Sequence, residues 1–483
     1  MKKSDLPYLL VAFIVLCVVF LNRLDWIPIR IWDEARLANS ALHMYEHGLS
    51  IVPHYEGAPD MWSTKPPLMI WLQALTMKIT GANEIGVRLP AAISALCTGI
   101  MIYFLGRRAG YNRLQGLLTT LVFASTYAYT YNHAGRTGDY DALLVLLVVA
   151  CCYALLRFSE TRTAGNIYIA GAALTLAALT KGVAAVMVLP GLALLLLLRR
   201  SLLPLLKARA TYISAGIFVL LVGAYYAGRE SINPGYLKAV AENELGGRFL
   251  TILSNHDHPF GWYIDNFFAW RNTFWAPFIV PAFAVGFASA SAEVRRATLF
   301  NACCALPYLL IVSLAKTKLE WYDLPLYPFF AVQTSLMLMQ FWQGLKTGLA
   351  LQRTAVSRNA IGVMLAAILF YYPFSQVFAY VYNFTERPWD AEPHAEGWFL
   401  QNAIRHKTKK LDEFTFCYAD YSGQIQFYTR ALNARSIPVQ LQRDLTGLPV
   451  GRHLVVCQDS WRRAADSLGY RRVAEEFGCT EYI

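Results

Sequence analysis

Six short stretches of this chain hold acids and bases where they could do chemistry. They are Asp33 and Glu34 in "RIWDEARLANS", Lys65 in "WSTKPPLMIW", Asp139 and Asp141 in "GRTGDYDALL", Lys181 in "LTKG", His256, Asp257 and His258 in "NHDHPFGWY", and Lys316, Lys318 and Tyr322 in "KTKLEWYDLPLYP". A carboxylate can take a proton from a hydroxyl or amine acceptor. Lys, Arg and Tyr donors can hold a phosphate and stabilise it as it leaves. Together the two sets fit group transfer from a phosphate-linked donor.

The elements that must position these residues are membrane spans. Of 483 residues, 56% are hydrophobic and only 16% charged, well below the ~25% of an ordinary soluble chain. The apolar residues gather into blocks near 6–22, 86–105, 114–132, 140–157, 165–180, 183–198, 210–228, 271–289, 298–315, 323–343 and 359–381. Each approaches the ~20 residues that cross a bilayer as a helix, and backbone in lipid must satisfy its own hydrogen bonds. The fold class expected is therefore a polytopic α-helical membrane protein with about 11 or more spans. Met1-Lys2-Lys3 precedes the first block, but no small-residue cleavage pattern follows, so that block reads as an uncleaved span.

With Lys2 and Lys3 inside, alternate loops are basic: Arg107, Arg108 and Arg113; Arg157 and Arg162; Arg199, Arg200, Lys207 and Arg209; Arg295 and Arg296; Lys346, Arg353 and Arg358. This positive-inside pattern accounts for much of the net charge of +11 without nucleic acid. It places all six reactive stretches, and the C-terminus, on the outer side. Charge set at or within a membrane is costly and marks a candidate site by default. A lipid-phosphate substrate would reach such a boundary sideways from the bilayer.

Residues 1–384 form the expected membrane domain, broken by outer loops at 23–85 and 229–270. The first loop shows helical apolar spacing from Ala38 and again after Pro66-Pro67, as amphipathic surface helices would. Residues 385–483 change composition; "EFTFCYA" and "RHLVVCQ" read as strands and "DSWRRAADSLG" as a helix, giving a small α/β domain outside the membrane. Cys417, Cys457 and Cys479 lie there and allow at most one disulfide. Each reactive residue also has an ordinary role open to it. Asp33 and Asp139 are possible helix caps, Asp141 suits a helix's first turn, Lys65 could anchor at the interface, and His256 and His258 could be plain loop residues.

The stretches "DEARLANSALHMYEHG", "TKPPLMIWLQAL", "GVRLPAAIS", "RTGDYDALL", "LTKG", "ENELGGRFL…HDHPFGWY" and "KTKLEWYDLPLYP" occur in the order found in GT-C glycosyltransferases. Over about residues 30–330 the chain resembles the bacterial branch related to protein O-mannosyltransferases and lipid A aminoarabinose transferases. The resemblance implies inverting transfer of a sugar from a polyprenyl-phosphate donor. The acceptor is a cell-envelope lipid A, glycolipid, glycan or protein, and the setting is the outer face of the cytoplasmic membrane. It makes Asp33 the general base or acceptor-orienting acid, with Glu34 completing the pair, and gives Asp141, or its rival Asp139, to the outer end of the fourth span. Lys65, Arg248, Lys318, Tyr322 and His256 fall to the donor phosphate side. Thr64 stands where the family often has a Glu that helps hold a metal, so no cofactor is assigned and a metal shared with His256 is disfavoured. Glu320 replaces the Pro of the "KLP" motif and adds negative charge there. A transporter or flippase, or a non-catalytic binder of lipid-linked sugars, is the alternative; transporters tend to carry midplane charges and internal repeats, and neither is seen.

Overall fold

The computed structural model describes residues 5–110, 112–247, 256–348, 355–408, 413–419, 421–445 and 451–483. Each of the eleven apolar blocks contains a helix. Six helical segments are long and apolar enough to cross a bilayer: Glu84–Gly110, Asp141–Thr161, Ala164–Leu198, Arg209–Ile232, Ala292–Leu314 and Asn359–Tyr382. Leu6–Phe20 and Ala276–Ala288 are shorter apolar helices, and Arg113–Ala124 and Tyr327–Gly348 complete the set. The chain is thus a multi-pass helical membrane protein. Its main core runs through Leu16, Phe20, Phe123, Tyr129, Val148, Leu195, Trp275 and Phe330. By contrast, Val219, Leu220 and Val363 remain exposed on helices that face outward, as lipid-facing positions must.

The long loop at 23–85 holds two helices, Asp33–His47 and Leu68–Thr80. They do not simply lie on a membrane surface. Ala35, Ala38, Ala41 and Leu42 join Met69, Ile70 and Ala74 in one buried cluster with Phe399, Phe414, Ile425 and Tyr428 of the C-terminal region. Asn39 Nδ2 donates to the Gly423 carbonyl at 2.7 Å, fixing the contact. The Asp33–His47 helix is therefore covered on one side by the C-terminal region.

The C-terminal region holds a five-stranded sheet in the spatial order Val439–Gln442, Phe414–Cys417, His453–Val456, Cys479–Tyr482, Arg472–Glu476. The first three strands are parallel and the last two pairings antiparallel. Helices Pro388–Ile404, Gly423–Asn433 and Asp459–Ser467 accompany it. Phe414–Cys417 is buried at every residue, as a parallel strand covered on both faces requires. One disulfide joins Cys457 to Cys479, leaving Cys417 as a buried thiol.

Candidate functional site

Asp33 is the first residue of its helix, and its side chain is 46% exposed; the Glu34 side chain is 1% exposed. Consecutive residues in a helix point about 100° apart, so one faces solvent while the other faces the protein. Glu34 accepts from Arg88 Nε at 2.6 Å and Nη2 at 2.8 Å, from Gly138 N–H at 2.8 Å and from Arg30 N–H at 2.7 Å. Arg88 gives its three remaining N–H bonds to the carbonyls of Leu24, Ile27 and Pro28. Every guanidinium donor is thereby used. The Glu34 oxygens thus hold the 24–30 turn and the 135–140 loop together, and Glu34 and Asp33 face different surroundings. Gly138 fits only because it has no side chain, since a Cβ there would stand 2.4 Å from Val87 Cγ1.

Asp139 and Asp141 separate in the same way. Asp141 is buried and accepts from Lys181 Nζ at 2.5 Å. The pair closes the facing ends of two adjacent helices: a carboxylate in one first turn, an ammonium in the other's last turn, each complementing its helix dipole. Gly182 follows at φ +56°, the left-handed turn that ends a helix cheaply only with glycine. Asp139 instead reaches His133, with Oδ1 3.3 Å from Nδ1. His133 Nδ1 is also 3.9 Å from Asp33 Oδ2, and its ring stacks on Trp321 at 3.5 Å.

Of the two rival acids, Asp139 is thus the one beside Asp33. Burial alone would lower the pKa of His133, but the Asp139 carboxylate, and then Asp33, hold it above its ordinary value. Burial works to raise the Asp139 pKa, and the His133 pairing with hydrogen bonding from Thr137 keeps it below the usual carboxylate range. The donor atoms of Asp33, His133 and Asp139 lie within 4.8 Å of one another, the one such group of three among the described residues. Chemically this set could also ligate a divalent cation.

Lys65 and Asp33 line one narrow cleft of about 30 Å³ with Arg36, Ser63 and Tyr140. The Lys65 ammonium sits 5.7 Å from the Tyr140 ring and 3.3 Å from a Glu244 oxygen. The same oxygen accepts from Thr64 Oγ1 at 2.7 Å. A carboxylate thus stands beside Thr64 and Lys65, that of Glu244 from "ENELGG". Tyr322 lies beside Lys181, with the ammonium 5.3 Å from its ring.

The Lys318 ammonium donates to the carbonyls of His258 at 2.8 Å and Ala315 at 2.7 Å, and its N–H bonds the His256 carbonyl. With Asp257 bridged to Thr317, this buried side chain ties two loops together. His256 is exposed on that strip and Arg248 lies outside the described residues. Sequence reasoning missed His133, Arg88, Trp321 and Glu244. His133 had a signal, being a titratable residue in the same short outer segment as Asp139. Arg88 in "GVRLPAAIS" had one too, as a cation on the outer side against the positive-inside trend.

Residues 64–226 match the family described as dolichyl-phosphate-mannose-protein mannosyltransferase. An uncharacterized protein of Aquifex aeolicus is 27% identical over 340 residues, covering 69% of this chain and 64% of the relative. An undecaprenyl phosphate-alpha-4-amino-4-deoxy-L-arabinose arabinosyl transferase of Enterobacter sp. is 27% identical over 347 residues, 69% of this chain and 59% of that protein. The corresponding protein 2 of Proteus mirabilis is 32% identical over 180 residues, 36% and 31%. The chain spans less than two thirds of the length of these sequence relatives. Among solved structures, ArnT from Cupriavidus metallidurans bound to undecaprenyl phosphate superposes with a TM-score of 0.70 at 16% identity, covering 100% of this chain and 98% of that one. The Archaeoglobus fulgidus oligosaccharyltransferase follows at 0.54 and 12%, covering 91% and 64%. At such identities the likeness is one of fold.

Proposed function

We propose that the chain is a member of the GT-C superfamily, related to its protein O-mannosyltransferase and aminoarabinose transferase branch, and that it is an integral-membrane inverting glycosyltransferase; the match of residues 64–226 to the mannosyltransferase family, the aminoarabinose transferase relatives and the shared fold support this. It moves a sugar from a polyprenyl-phosphate donor to a cell-envelope acceptor. The observation that carries this reading is the shared cleft of Asp33 and Lys65, an accessible acid and a cation at one membrane boundary. The acceptor oxygen attacks the anomeric carbon as its proton passes to the Asp33 carboxylate. The bond from that carbon to the phosphate oxygen breaks, and polyprenyl phosphate leaves with the electron pair, its charge met by Lys65. One displacement inverts the carbon and needs no nucleophile from the protein. The reading assigns no cofactor.

The proposed setting is the cytoplasmic membrane, with the cleft and the C-terminal domain on the outer side. The basic inner loops support that orientation, and the Cys457–Cys479 disulfide suits an oxidising compartment.

The test is release of free polyprenyl phosphate by the purified chain from a panel of polyprenyl-phosphate sugars, with envelope extract as acceptor. Asp33→Asn is expected to cut release by about 10²–10⁴-fold, the range of a lost general base, at an unchanged thermal midpoint. Full activity in that variant refutes the base. Donor binding without release under any acceptor refutes the transferase.

A further inference from the structure

The end of the helix bundle away from Asp33 holds a cavity of about 210 Å³, room for about seven waters. Two helices fix its place. From Arg88, bonded to Glu34, to Arg108 in the cavity wall, the Glu84–Gly110 helix advances about 30 Å at 1.5 Å per residue. From Asp141 to Glu160, also in the wall, the next span covers nearly as much. That is the thickness of a bilayer's hydrocarbon core, so the cavity lies at the membrane boundary opposite the Asp33 cleft.

Its charged lining is short of anion. The Glu160 carboxylate is shared by three guanidinium groups: Arg108 Nη2 at 2.6 Å, Arg157 Nη1 at 3.0 Å and Arg199 Nη1 at 3.6 Å. Arg199 is the most enclosed, with its side chain 15% exposed. Among the described residues its one side-chain hydrogen bond goes to Ser159 Oγ at 3.1 Å. A guanidinium carries five N–H donors, so most of these are uncommitted. Arg296 also lines the cavity, is exposed, and forms no ion pair among the described residues. Glu293 is the second acid of the wall, and its carboxylate accepts from Ser291 Oγ at 3.0 Å. With Arg157 included, four guanidinium groups face two carboxylates.

The rest of the wall is apolar, and its layout is regular. Each of three buried side chains stands one helical turn inside a charged one, toward the middle of its helix: Leu105 from Arg108, Leu156 from Glu160 and Phe300 from Arg296. Cations at the rim and hydrocarbon beneath them match a phosphate ester with an apolar body. A phosphodiester carries a single negative charge, whereas a phosphate monoester carries about −1.5 to −2. The Glu293 carboxylate opposes that second charge, and the apolar wall gives a bare phosphate nothing to bond. The helices that lead from Arg199 and Arg296 into the membrane expose Leu194 and Leu197, and Leu306 and Leu310, so acyl chains have apolar surface to lie against.

We propose that this cavity binds the headgroup of an anionic glycerophospholipid from the leaflet opposite the Asp33 cleft. Arg199 and Arg296 hold the phosphodiester, with Arg108 beside them, as basic pockets between transmembrane helices hold lipid phosphates elsewhere.

The experiment is native mass spectrometry of the delipidated full chain, titrated with phosphatidylglycerol and separately with phosphatidylcholine. One phosphatidylglycerol is expected to stay on each chain, bound more tightly than phosphatidylcholine. Arg199→Gln and Arg296→Glu should each weaken that binding by about tenfold or more, the loss of a charge-assisted bond. Arg296 is exposed, so Arg296→Glu should keep the parental thermal midpoint without lipid, and its loss then reads binding rather than folding. Arg295→Glu reverses the same charge one residue away, outside the lining, and should bind as the parent does. Equal retention of the two lipids overturns the site. Equal losses in Arg295→Glu and Arg296→Glu also overturn it, in favour of a general attraction between surface cations and anionic lipid. Inorganic phosphate, added at the concentration of the lipid, should leave phosphatidylglycerol bound; displacement would assign the cavity to a soluble phosphate instead. None of these readouts requires sugar transfer, so they stand or fall apart from the glycosyltransferase reading.

Discussion

Glu34 offers the sharpest separation of support from chemistry. The carboxylate accepts four hydrogen bonds, two of them from a buried guanidinium. Removing one partner of such a pair leaves an uncompensated charge and costs about 3–5 kcal/mol. Each orphaned backbone N–H, at Arg30 and Gly138, adds ~1–3 kcal/mol unless water replaces the carboxylate. Glu34→Ala should therefore lose about 4 kcal/mol or more, a large share of the ~5–15 kcal/mol typical of a folded domain. Glu34→Gln keeps the shape but turns an amide toward Arg88, and should cost roughly 3 kcal/mol. Asp33→Asn, half-exposed, should cost under ~0.5 kcal/mol. The assay is the thermal midpoint of each purified variant, with transfer measured well below it. Because the two groups act as one unit, the double variant Glu34→Met with Arg88→Met should be less destabilised than the sum of its singles. A Glu34→Gln protein with the parental midpoint but no transfer would refute the structural role and return Glu34 to the chemistry.

Three further outcomes follow from other groups. Lys65→Ala should weaken donor use by about 10–100-fold, the loss of one charge-assisted bond of ~1.5–3 kcal/mol. Lys181→Ala should act mainly on stability, because its ammonium belongs to Asp141; equal donor KM effects in both variants would contradict that division. In the C-terminal domain, burial raises the Glu396 carboxyl to about 7, with bonds from Ser422 and Gln458 only partly opposing it. A carboxyl raised in the fold contributes stability that is complete below its unfolded value near 4.5 and is lost as pH rises through about 7. The thermal midpoint should fall over that interval, by the equivalent of ~3 kcal/mol, and Glu396→Gln should flatten the dependence. An unaltered slope in Glu396→Gln would assign the effect elsewhere.

The membrane fold was legible because hydrophobic blocks and inner-loop cations are local signals, readable one segment at a time. So were the two strands quoted from the C-terminal region, where alternation and β-branched residues mark the local backbone. The covering of the Asp33–His47 helix was not legible, since Asn39 meets Gly423 across almost the whole length of the chain. The site divided along the same line. That Asp33 and Lys65 share one cleft joins two motifs of the first long loop. That Lys318 spends its ammonium on two carbonyls, or that Glu244 stands beside Thr64, depends on how two distant loops meet. His133 takes a left-handed backbone, φ 62°, uncommon for a side chain other than glycine. That local turn, invisible in residue types alone, brings its ring to Asp139.

The same division of labour recurs at each motif, and physics requires it. A group that handles protons must keep access to substrate, so its own bonds cannot fix it firmly. In "DE", Asp33 stays open while its neighbour Glu34 is saturated by Arg88. In "DYD", Asp139 faces His133 while Asp141 locks onto Lys181. In "KTKLEW", Lys318 ties the His258 loop while Trp321, three residues on, carries the His133 ring. Each open group is thus placed within a few bonds of a fully paired one, and inherits its position from it. Charges are costly at a membrane boundary, so a chain with so few would not be expected to carry adjacent pairs without a use for both. In the first pair the buried Glu34 bears the cost of burial so that Asp33 can remain exposed and still be held in place; Asp139, buried like Asp141, is held instead by its pairing with His133.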